Sequence, residues 1–170
     1  TPTFRVFTNH DVVGCELGGA LKNVYAVVAG TVEGRDLGDN ARASVITRGL
    51  AELIELGTAL GGEALTLAGL AGMGDLIATC ISPQSRNGHV GRMLGQGKSL
   101  DQILEEMDQV AEGVKATRAV IELAKQHQVK MPIATFLSRV CFDGRDLDWA
   151  QEQMLRGEVG HERGVLGPNQ

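Results

Sequence analysis

No CxxC pair occurs among the three cysteines, Cys15, Cys80 and Cys141, which are odd in number and widely spaced. That excludes a disulfide framework and leaves free thiols in a reducing, cytoplasmic compartment as the expectation. His10, His89, His127 and His161 are scattered, with no metal-ligand spacing among themselves or with cysteine, so no metal is expected. Positive charge is in deficit: the net charge is −5 and the pI about 5.3. This argues against nucleic acid as a partner, while a small anionic ligand needs only a local positive pocket. The longest weakly charged run, Leu17 to Val32, is short, glycine-containing and interrupted by Lys22, so no membrane span is expected. A Gly-x-Ser-x-Gly elbow is absent, and the serines have no evident histidine partner. "GLAGMGDL", residues 69–76, has its glycines in the wrong order for a dinucleotide loop, and no βαβ unit surrounds it. The chain therefore holds no complete nucleotide-binding half of its own. No secretory or transit peptide is recognised.

What is present fits one domain or one part of a larger protein: 170 residues, 43% hydrophobic and 22% charged. The opening "TPTFRVFTNHD" reads as an entry from something upstream. "FRVFT", residues 4–8, alternates and is β-rich, which predicts a single strand within an entry segment 1–10. From Asp11 the pattern is helical and predicts an all-α bundle of seven or eight helices over 11–157, with a flexible tail over 158–170. Predicted helices cover about 11–32, a second capped by Asp39 or Asn40 and stopped by Gly61–Gly62, then one from about Gly74. Others come after "SPQSRNG", after Ser99, through "EGVKATRAVIELAKQHQ", from Pro132, and through "LDWAQEQMLRG", where Trp149 reads as packing. Arg48 and Glu52 are spaced for an i,i+4 pair.

"GCELGGALKNVYAVVAG", residues 14–30, places one lysine on a stripe of small and apolar residues. The helical neighbours of Lys22 one turn away are Gly18, Gly19, Tyr25 and Ala26. Burying an unpaired ammonium costs several kcal/mol. Lys22 is therefore either a proton acceptor and donor beside a ligand, for which Gly18 and Gly19 leave room, or a lysine that snorkels or meets a carboxylate. Asp75 stands at a glycine-rich helix start with Thr79 one turn on; it either joins a site or caps the helix. Ser85, Arg86 and Asn87 stand at another helix start. They either hold an anion, with free N–H groups and an arginine fork, or form an ordinary loop with Ser85 as N-cap.

Taken together, "FRVFTNHDVVGCELGGALKNVYAVVAG", "LGDNARASVITRGLAEL", "GLAGMGDLIATC", "SRNGHVG" and "VAEGVKAT" resemble, in order, the C-terminal domain of bacterial-type NAD(P)-dependent glycerol-3-phosphate dehydrogenase. The resemblance runs from about Thr3 to about Arg156; Cys15 and Tyr25 stand where that family often has aliphatic residues. It implies the all-α fold shared with 6-phosphogluconate dehydrogenase-like C-terminal domains. It also implies reversible reduction of dihydroxyacetone phosphate to sn-glycerol 3-phosphate, feeding glycerophospholipid synthesis. Lys22 matches the family's proton acceptor, with Asp75 beside it in catalysis. Asn23, Asp75, Thr79, Ser85, Arg86 and Asn87 match substrate positions, and Arg86, Val110 and Glu112 match cofactor positions. NAD or NADP would be held mainly by an N-terminal Rossmann domain, so this stretch alone is expected to be inactive; a homodimer is compatible. Two other readings stay open: the helical domain of another hydroxy-acid or sugar-acid dehydrogenase, and a non-catalytic helical dimerisation module.

Overall fold

The computed structural model describes residues 4–107 and 111–155, the last three by backbone alone. Among the described residues the regular structure is entirely helical: α1 (Val12–Gly34), α2 (Gly38–Ala59), α3 (Ala64–Leu67), a π-helical turn (Leu70–Gly74), α4 (Asp75–Ile81), α5 (Arg86–Gly95), α6 (Leu100–Glu106), α7 (Glu112–Gln126), α8 (Pro132–Phe142) and α9 (Leu147–Leu155).

α1 is the hub. Every residue from Leu21 to Val32 is buried except Lys22, which is half-buried. Such a helix is apolar on nearly all sides because other helices surround it. α2, α4, α5, α7 and α8 all pack on it. α1 is long and apolar enough by composition to cross a membrane, yet those sides are spent on helix packing. Close crossing with α5 depends on missing side chains: a Cβ at Gly30 would lie 2.3 Å from the Gly88 carbonyl oxygen. Asp11 starts α1: its carboxylate accepts from the Gly14 N–H at 2.7 Å and from the Glu63 N–H at 2.8 Å, joining the cap to the turn after α2. Those N–H groups, Glu63 first, hold the Asp11 carboxyl below its usual range.

Several expectations change. Residues 4–8 form no strand, and Phe4, Val6 and Phe7 are each at least 70% exposed. A strand needs a ladder partner, and no other β-segment exists among the described residues. α2 begins before the expected caps, behind Leu37 and without a side-chain cap, while Asp39 pairs with Arg42 at 2.8 Å. The short α3 has too few residues to show periodicity. Glu52 does not pair with Arg48. It turns inward to 4% exposure and accepts from the N–H groups of Ile133 at 2.5 Å and Ala134 at 3.2 Å. The reason lies at the start of α8, where Met131 supplies no side-chain cap and the first N–H groups need an acceptor. The expected tail over 158–170 lies outside the described residues. Trp149 packs against the core, with the Arg145 and Arg139 guanidinium groups 4.6 and 5.5 Å from its ring centre.

Candidate active site

Lys22 reaches out from the hub helix and forms an ion pair with the Asp75 carboxylate. The Lys22 side chain is 18% exposed and that of Asp75 40%, so the pair sits at the edge of the core facing outward. The two glycines beside the lysine do different work. A Cβ on Gly19 would meet nothing within 4 Å, leaving open space beside the ammonium. A Cβ on Gly18 would lie 2.4 Å from the Ala71 carbonyl oxygen, so that space is filled by the π-helical turn.

That turn delivers Asp75. It ends at Gly74, which is the N-cap of α4 and has no side chain to cap with; Asp75 opens α4 and gives its carboxylate to Lys22 instead of to the helix N–H groups. Thr79, one turn later, donates to the Asp75 backbone carbonyl at 2.7 Å and reaches the carboxylate at 3.4 Å. Lys22, Asp75 and Thr79 therefore form one group.

Asn23, Asn87 and Glu112 form a second, adjoining group. Ser85 is the N-cap of α5, accepting from the Gly88 N–H at 3.1 Å. Arg86 is exposed at the first position of that helix. Asn87, 8% exposed, turns inward; it donates to the Asn23 side-chain oxygen at 2.9 Å and accepts from the Gly113 N–H at 2.9 Å. Asn23 in turn donates to Glu112 at 3.3 Å and to the Gly19 carbonyl at 3.4 Å. This chain of amides ties α1, α5 and α7 together immediately beside Lys22. Ser85 and Asn87 thus make hydrogen bonds within the scaffold. Val110 lies outside the described residues.

No three His, Cys, Asp or Glu side chains converge among the described residues. The three cysteines are free, and burial pushes the Cys80 and Cys141 thiols up to about 12. A cavity of about 720 Å³ between the α5–α6 turn and α8–α9 shares no residue with the Lys22 group. Its cations Arg35 and Lys98 are engaged by Asp148 and Glu106, and Arg145 stacks on Trp149.

Glu52 is the titratable residue that spacing missed. Burial pushes its carboxyl up to about 8, against the pull of the Ile133 and Ala134 N–H groups and the Tyr25 phenol. The fully buried Tyr25 is itself pushed up, first by burial and then by the Glu52 charge. A helical wheel carries the signal: Glu52 shares the stripe of Val45, Gly49 and Leu56, all buried.

Solved structures of the same architecture include the crystal structure of glycerol-3-phosphate dehydrogenase from Coxiella burnetii. It has a TM-score of 0.85 and 40% identity, over 90% of this chain and 47% of that one. The glycerol-3-phosphate dehydrogenase of Saccharomyces cerevisiae matches with a TM-score of 0.80 and 30% identity, over 91% and 45%. The curated glycerol-3-phosphate dehydrogenase [NAD(P)+] of Bacillus licheniformis is 53% identical over 94% of this chain and 46% of its own length. The Geobacillus thermodenitrificans enzyme is 57% identical over 89% and 44%. The fold and its relatives are thus those of the helical part of a nicotinamide-dependent oxidoreductase. The model for "NAD-dependent glycerol-3-phosphate dehydrogenase C-terminus" matches residues 11–152, and the chain belongs to that family as its C-terminal domain. It spans about half the length of the curated relatives it matches.

Proposed function

We propose that this domain is the substrate-binding and proton-transferring part of a cytoplasmic enzyme that reversibly reduces dihydroxyacetone phosphate to sn-glycerol 3-phosphate, a precursor of glycerophospholipids. The observation that carries the reading is the Lys22–Asp75 pair beside the open Gly19 position, with Arg86 at the first turn of α5.

NADH or NADPH, when bound, supplies hydride to the substrate carbonyl carbon. The curated relatives are about twice as long as this chain, which supports an N-terminal Rossmann domain as the part that holds most of the cofactor. The exposed Arg86 and Glu112 stand at helix starts from which they meet it. Lys22 gives its ammonium proton to the carbonyl oxygen as hydride arrives at carbon, and then recovers a proton from water. In the oxidising direction the amine takes the hydroxyl proton. Asp75 holds Lys22 in place, and Thr79 steadies Asp75. Arg86 and the N–H groups at the start of α5 bind the phosphate, so binding energy away from the reacting carbon positions it. Asn23 and Asn87 keep α1 and α5 in register for this.

The test is NADH oxidation by the full-length protein with dihydroxyacetone phosphate. Arg86→Ala should lower kcat/KM about ten- to over a hundredfold, since a charge-assisted bidentate contact contributes on the order of 1.5–3 kcal/mol or more. Arg86→Lys should recover part of the loss, because an ammonium lacks the planar fork. No turnover of dihydroxyacetone phosphate would refute the reading, and ordinary kinetics in Arg86→Ala would take that residue out of the site.

A further inference from the structure

We infer that Gly18 is a positioning residue: its missing side chain lets the π-helical turn at 70–74 seat against α1 at the height from which Asp75 reaches Lys22. The inference rests on the proposed role of the Lys22–Asp75 pair.

Gly18 and Lys22 lie one turn apart on α1. A Cβ at Gly18 would meet the Ala71 carbonyl oxygen at 2.4 Å, the Ala71 carbonyl carbon at 3.1 Å and Gly72 Cα at 3.2 Å. All three are backbone atoms, so no side-chain rotation relieves the clash and the turn itself must move. Gly72 is itself tightly placed: a Cβ there would lie 1.9 Å from the Leu67 carbonyl oxygen. The turn also sets direction. The Gly74 N–H donates to the Gly69 carbonyl at 3.0 Å, a bond five residues back where an α-helix bonds four back. One extra residue per turn changes the azimuth of the next helix by about 100°. Asp75, the first residue after the turn, inherits that rotation and points at the lysine. π-turns of this kind recur at functional sites. Here the turn and the glycine opposite it place one carboxylate on one ammonium.

The test compares two alanines on the same helix in the full-length enzyme. A Cβ at Gly34 would lie 2.3 Å from the Arg92 carbonyl oxygen, so Gly34→Ala makes a backbone clash as severe as Gly18→Ala, against α5 instead of the π-turn. Both should lower the thermal midpoint. Gly18→Ala alone should lower kcat, by about 10- to 100-fold, the scale of an ångström-sized misplacement. KM for dihydroxyacetone phosphate should change little, so the loss falls on kcat. Gly34→Ala should keep kcat. Equal loss of kcat in both variants, or ordinary kcat in folded Gly18→Ala, overturns the inference. Should Gly18→Ala not accumulate as folded enzyme, deletion of Ala71 returns the turn to α-helical register. Ordinary kcat there overturns the inference equally, and a 10- to 100-fold loss upholds it. Lys22→Met measured alongside separates the two levels. If it has lost kcat while Gly18→Ala has not, only the positioning role falls; if it retains kcat, the proposed function of the pair has failed.

Discussion

Lys22→Met in the full-length enzyme is expected to lower kcat by about 10²–10⁴, the usual scale of general acid–base catalysis, with little change in stability. Methionine keeps the length and the apolar stem and removes the amine. The change strands the Asp75 carboxylate, but that side chain is 40% exposed and water can replace the ammonium. An ion pair at such a site contributes about 0–1 kcal/mol, so the thermal midpoint should move little. Stability and activity thus part company, as a packing role does not allow. Ordinary kcat would return Lys22 to the scaffold.

The largest effect on stability belongs to Glu52. Its carboxyl is raised by burial from 4.5 to about 8 in the folded protein. Between those values the folded state holds a proton that the unfolded state has released. Unfolding then releases protons, so stability falls as pH rises through this window; it is not restored at higher pH. The full loss is on the order of 5 kcal/mol once both states are ionised. Glu52→Gln removes the titration while keeping the size. One oxygen then serves two N–H groups, so the variant should start less stable at acid pH. The difference between wild type and variant, followed by thermal unfolding from pH 4.5 to 8, should shrink as pH rises. A constant difference would mean that Glu52 does not carry the proton.

Much of this architecture is legible in the sequence because helices advertise themselves through period and punctuation. Ser99 with Gln102 forms the capping box that starts α6, and Pro132 starts α8. What stays hidden depends on distant partners. "FRVFT" has the alternation of a strand, but pairing decides strands and none is described for it. Glu52 lies on the buried stripe of α2, but the α8 N–H groups it serves are distant in sequence. At the site, the oddity of Lys22 is visible locally, whereas its partner Asp75 is distant in sequence and arrives through a π-turn that no periodicity announces. Gly18 and Gly19 look alike in sequence; one opens space and the other receives a carbonyl. Asn87 reads as part of a helix start beside Arg86, while its contacts to Asn23 and the Gly113 N–H are distant in sequence.

Lys22 and Asp75 work as one unit in this mechanism, and a double-mutant cycle in the full-length enzyme tests that most directly. kcat/KM for dihydroxyacetone phosphate is measured for wild type, Lys22→Met, Asp75→Asn and the double variant. Groups that act through one another lose most of their effect once, so the double variant should be no more than about threefold slower than Lys22→Met alone. Losses that multiply in full would show that Asp75 acts independently of the lysine and would contradict the mechanism.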